Sequence, residues 1–147
     1  MRYTLFTVLF AGCLKLPDAI NNLEIDRVLS AADGKSENLI YDKSVQQIIK
    51  GGNSNLQPLI EKFPDTTRSN VYSNCCNRYL SKGELALIMA DHIDKMPYFL
   101  LTGIQNCTQT FCADNPNNIE YYLNIIKEQK EINTVSEKYR KWLNDRE

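Results

Sequence analysis

Histidine and tryptophan each occur once in the 147-residue chain, and neither sign of charge is in clear excess: 17 Lys plus Arg stand against 18 Asp plus Glu, a formal charge of -1. Such a balance argues against a polyanionic partner. No run of five like charges occurs, and Lys127, Lys130, Lys138, Arg140 and Lys141 alternate with Glu128, Glu131 and Glu137, as on a solvated helix face rather than a nucleic-acid-binding stripe. Gly-x-Ser-x-Gly, HExxH, a phosphate-binding glycine loop and an EF-hand ligand series are all absent, which removes the common hydrolase and nucleotide-enzyme signatures. Low-complexity tracts, long Gly/Ser/Pro linkers and clear internal repeats are also missing, so nothing divides the chain into domains.

What remains is an ordinary globular composition, 43% hydrophobic and 24% charged. A chain of this size buries roughly 68 to 70% of its unfolded surface, enough for one core without a metal.

Helical spacing dominates. Ile20, Leu23, Val28, Leu29 and Ala32 predict a helix over 18–32 that stops near Gly34, and Ser44 to Gln47 has the form of a capping box before a short helix over 44–50. Asn55 precedes a third helix carrying Leu56, Leu59, Ile60 and Phe63, ended by Pro64. Residues 65–80 are polar and predict a loop. Ser81-Lys82-Gly83-Glu84 is the clearest capping box, and the apolar run from Leu85 to Ile93 behind it predicts the central helix. A bend at Met96-Pro97 leads to a short helix ending at Gly103, and Asn117 with Glu120 and Thr134 with Glu137 mark two further starts. Strand character is confined to stretches such as 38–41 and 70–72. The expected fold is therefore all-α: a compact bundle or irregular stack of about five to seven short helices tied by disulfides.

At the amino terminus an apolar block over 3–12 follows Arg2. It is too short to span a bilayer, which takes about 20 residues as a helix, and it matches a signal h-region of about 7 to 15 residues. The sequence Phe10-Ala11-Gly12-Cys13 closing this block resembles the lipobox of bacterial lipoproteins. That resemblance covers residues 1–13 alone. It implies cleavage before Cys13, lipidation of Cys13, a membrane anchored through that lipid, and a location in the cell envelope, on its periplasmic face or at the cell surface. The expected organisation is a signal peptide over 1–12 and a single helical domain over 13–147.

Five cysteines are present. With Cys13 given to lipid, Cys75, Cys76, Cys107 and Cys112 remain, an even set suited to an oxidising compartment. Neighbouring residues sit too close for a good disulfide, about 3.8 Å between Cα atoms where roughly 4.4 to 6.8 Å is preferred, so two crossed pairings are open. Each would close loops of roughly 30 residues. Zinc is the competing use, but the adjacent Cys75 and Cys76 do not have knuckle spacing, so neither a metal nor another cofactor is expected.

His92 has Asp91 beside it and Asp94 two positions on, with Glu84 earlier on the same helix. These are the only candidates for acid-base chemistry, and successive helical positions point about 100° apart, which suits neither aspartate to orient the ring. Eight tyrosines and Asn-rich loops suit recognition better than catalysis. The sequence thus predicts a non-catalytic, lipid-anchored envelope protein that binds another protein, of the immunity-protein or inhibitor kind. A small periplasmic hydrolase using His92 with a nearby carboxylate and a structural envelope component are the alternatives.

Overall fold

The computed structural model describes residues 20–105, 112, 115–128 and 132–146. The signal-like segment, Cys13 and Cys107 lie outside the described residues.

The first helix, α1 (Asn22–Ala31), is capped by Asn21, whose side chain accepts from the Glu24 N–H at 2.8 Å. Ile25, Val28 and Leu29 form its buried stripe. The strand β1 (Asp33–Lys35) follows directly, then α2 (Ser36–Leu39) and α3 (Lys43–Lys50). Asp42, not Ser44, caps α3: its carboxylate takes the N–H groups of Ser44 and Val45 at 2.8 and 3.1 Å. A 3-10 turn (Gly52–Asn55) leads into α4 (Leu56–Lys62). Asn55 does not cap α4 through its side chain but points inward, donating to Ile48 O and accepting from the Ile20 N–H, and so ties α3 to the start of the described chain.

The strands β2 (Arg68–Ser73) and β3 (Arg78–Ser81) come next and overturn the all-α expectation. The polar stretch read as a loop is a β-hairpin, and β1 pairs alongside it in a three-stranded mixed sheet of order β1-β2-β3, parallel between β1 and β2 and antiparallel between β2 and β3. Tyr72 stands opposite Lys35 on one side and Tyr79 on the other. The inward positions of β2 are Ser69, Val71 and Ser73, so its alternation is real but two-thirds of it is hydroxyl rather than hydrocarbon. Asn77 turns the hairpin with φ 52°, a conformation asparagine tolerates better than most residues.

From the hairpin the chain enters α5 (Lys82–Ile93) through the expected capping box: Ser81 Oγ accepts from the Glu84 N–H, and the Glu84 carboxylate accepts from the Ser81 N–H at 2.7 Å. Leu85 to Ala90 are all fully buried. A helix that is apolar on every side belongs at the centre, and α5 packs against α1, α3 and α4. Gly83 lets α5 meet the end of α4, since a Cβ there would lie 2.1 Å from Phe63 O.

After the bend, α6 (Tyr98–Thr102) ends on Gly103 at φ 72°. Two separate helices follow, α7 (Glu120–Glu128) and α8 (Ile132–Asn144), the second packing on α4 and α6. Eight α-helices are thus present among the described residues, rather than five to seven. Cys75, in the hairpin turn, is bonded to Cys112 ahead of α7. Cys76 is a free, buried thiol, in contrast to the expected two-disulfide arrangement.

Candidate functional site

The four residues singled out for chemistry do not meet. Glu84 faces the hairpin, where its two oxygens take Arg78 at 2.6 and 2.8 Å in addition to the cap. Asp91 is buried and accepts from Tyr98 Oη at 2.7 Å and the Met96 N–H at 2.9 Å, which fixes the turn from α5 to α6. Burial raises the Asp91 pKa, and these two donors only partly oppose it. The Tyr98 hydroxyl is pushed up as well, by burial first and by Asp91 second. Asp94 pairs with Arg146 at 2.7 Å, while its backbone carbonyl accepts from Tyr139 Oη.

His92 turns elsewhere. Its Nε2 lies 2.9 Å from Asn117 Oδ1. Because Asn117 Nδ2 donates to Ser36 O and to Glu120 Oε1, the amide oxygen is left as an acceptor and Nε2 carries the proton. His92 is therefore oriented by an amide and not by any of the three carboxylates on its own helix or just past it.

Behind Asn117 lies a polar knot that sequence reasoning missed. Glu120, 1% exposed, accepts from Ser36 Oγ at 2.9 Å, Ser73 Oγ at 2.5 Å and Asn117 Nδ2 at 2.7 Å. Ser73 Oγ also accepts the Cys76 N–H, and the Cys76 thiol donates to Glu120 O at 3.5 Å. Ser36 of α2, Ser73 of β2 and Asn117 ahead of α7 thereby converge on one carboxylate, and the hairpin turn reaches the backbone carbonyl of the same residue. The Asn117 and Glu120 pair had signalled only a helix start. Burial raises the Cys76 thiol pKa, and since the thiolate is the nucleophile, Cys76 reads as a packed structural group. Among the described residues no cluster of three or more His, Cys, Asp or Glu side chains is placed to hold a metal ion, and no helix is long and apolar enough to cross a membrane.

The outward side of the hairpin is different in kind. Arg68 lies over the Tyr79 ring, 4.0 Å from its centroid, and Tyr79 meets Tyr72 edge to face at 5.3 Å. Tyr72 Oη is held by Asn77 at 2.7 Å, and Asn70 stands exposed between the two ends of this row. Beside it, where the hairpin meets α5, α7 and α8, lies a cleft of about 410 Å³ lined by Glu84 but not by His92, Asp91 or Asp94.

No protein-family model, curated protein or solved structure matches the chain.

Proposed function

We propose that this chain is a non-catalytic protein of the cell envelope, anchored by a lipid on Cys13 and acting through the outer face of its hairpin as a binding partner for another protein. The observation that carries the binding reading is the row Arg68, Tyr79, Tyr72: large side chains, 44% of Tyr79 still exposed, locked against one another before any partner arrives. Tyrosine and arginine are the residue types in which binding energy concentrates, and side chains already fixed lose little freedom on association. The sheet holds the row from below, and the Cys75 to Cys112 bond fastens the hairpin turn. An immunity-protein or inhibitor role would use such a preformed face. The commitment of His92 to Asn117, and of Asp91 to Tyr98 and Met96, supports binding over the hydrolase alternative. The anchor rests on the resemblance of residues 10–13 to a lipobox.

Two measurements test the reading. Intact mass of the chain recovered from a bacterial membrane fraction is expected to show a product beginning at a lipid-modified Cys13; a product beginning at Met1 ends the anchored reading. Cross-linking in the native envelope is expected to give a discrete adduct that disappears in the double variant Tyr72→Ala, Asn70→Ala, and an adduct that persists in that variant removes the hairpin face from consideration.

A further inference from the structure

The cleft beside the hairpin carries charge that its own neighbours do not cancel. Arg78 and Glu84 settle each other through two hydrogen bonds at the back of the cleft. At the mouth stand Arg68 and Lys127, both exposed, and among the described residues neither is in an ion pair. Asp65 lines the same rim, its carboxylate accepting the Thr67 N–H at 2.8 Å. Three cations (Arg68, Arg78, Lys127) less two carboxylates (Asp65, Glu84) leave one positive charge.

Phe63, Leu80, Leu87, Leu123 and Ile126 close the base and are themselves buried, so the apolar surface open to a ligand is the exposed part of Tyr79 and half-buried Ile132. A trough of this kind suits a ligand with an apolar body and a single anionic end. A polyanion would meet Asp65, and a neutral chain would leave the surplus charge unanswered. The volume of about 410 Å³ lies within the range of small-molecule sites, roughly 300 to 1,000 Å³. Stacking on Tyr79 fixes the Arg68 guanidinium, whose planar fork matches a carboxylate in two hydrogen bonds.

We propose that this cleft binds a free medium-chain carboxylate, its hydrocarbon chain lying along Tyr79 and Ile132 above the base formed by β3, α5 and α7 and its head group against Arg68 and Lys127. The side chains of the base are almost fully buried already, so the gain comes chiefly from taking the ligand's own methylenes out of water. The site does not depend on the hairpin face having a protein partner.

Titration calorimetry on the full-length oxidised chain tests this, with octanoate, decanoate and dodecanoate below their micelle concentrations, and with decanol and decyltrimethylammonium as head-group controls. Affinity is expected to rise up to about fourfold per methylene, and decanoate to bind at least about tenfold more tightly than either control. The double variant Arg68→Gln, Lys127→Gln changes only exposed side chains; it is expected to lose about tenfold for decanoate and little for decanol. Equal affinity for decanoate and both controls, an unchanged decanoate affinity in the double variant, or no binding of dodecanoate would each overturn the proposal. Loss of carboxylate binding would leave the cross-linking result on the Tyr72 and Asn70 variant untouched, so the two readings fail separately.

Discussion

Two buried regions lie side by side in this molecule and are held by opposite means. Around α5 the contacts are hydrocarbon, from Leu85 to Ala90 against α1, α3 and α4. Around Glu120 they are hydrogen bonds from Ser36, Ser73 and Asn117, backed by a disulfide a few residues away in the hairpin turn. Hydrocarbon packing is non-directional, so its loss is graded with the volume removed. A buried polar knot is directional, and deleting its centre strands every donor aimed at it. The first region should absorb conservative change, and the second should not.

The largest effect is expected where the apolar region has no slack at all. Gly83→Ala places a Cβ 2.1 Å from Phe63 O and 2.8 Å from Asp65 O, backbone atoms that cannot swing aside, and is expected to destabilise by more than about 3 kcal/mol or to prevent accumulation of folded protein. A thermal melt within about 1 kcal/mol of the parent would show that α4 and α5 separate easily, against the packing described. Next comes the disulfide. Replacing Cys75 and Cys112 together by Ser opens a bond spanning 37 residues and is expected to cost about 3 to 4 kcal/mol in urea unfolding.

Glu120→Ala follows, at about 2 to 3 kcal/mol, because it orphans two hydroxyls and an amide in a fully buried site. Glu120→Gln sharpens the point: one oxygen still accepts from the serines, while the new amide meets Asn117 Nδ2 donor to donor, so roughly half of that loss is expected. Were both variants to unfold at the urea concentration of the parent, the polar corner would owe its position to the disulfide alone.

The same contrast decided what could be read from the sequence. The apolar region announced itself: the Ser81 and Glu84 capping box and the unbroken run from Leu85 are local signals, and the helix they predict is the one present. The polar corner did not. β2 buries Ser69 and Ser73, whose inward hydroxyls reach Leu80 O and Glu120, so the hydrophobic alternation that marks a strand is missing, and residues 65–80 read as loop. A usable signal existed in Asn74 to Asn77, turn residues flanked by the Val71-Tyr72 and Tyr79-Leu80 pairs. The partners of Glu120 lie 84 and 47 residues away in sequence, beyond the reach of any local pattern. His92 and Asp91 are legible as residues, but their partners, Asn117 ahead of α7 and Tyr98 on α6, are brought to them by the chain after α5, which no local pattern announces.

Asp91 sits at the seam between the two regions, and its titration offers the gentlest way to compare them. Burial raises its folded-state pKa above the ordinary aspartate value of 3.8 despite the donors from Met96 and Tyr98. The native state therefore holds this proton more tightly than the unfolded chain does, and wherever that is so, stability falls as pH rises. The sign is opposite to that of a salt-bridged carboxylate. The contribution of Asp91 is most favourable below the ordinary aspartate value and is lost as pH climbs through the raised one. The amide introduced by Asp91→Asn stays neutral throughout and keeps an oxygen for the Met96 N–H. Unfolding free energies of the two proteins, measured at steps from acid to neutral pH, are expected to diverge as pH rises past the ordinary aspartate value, the parent losing ground to the variant, and to keep a constant separation above the raised value. Curves parallel at every pH would mean that the Met96 and Tyr98 donors cancel the effect of burial, and a parent that gains on the variant as pH rises would mean that they outweigh it, making the turn from α5 to α6 a polar anchor of the same kind as Glu120 instead of a charged group tolerated at the edge of a hydrocarbon core.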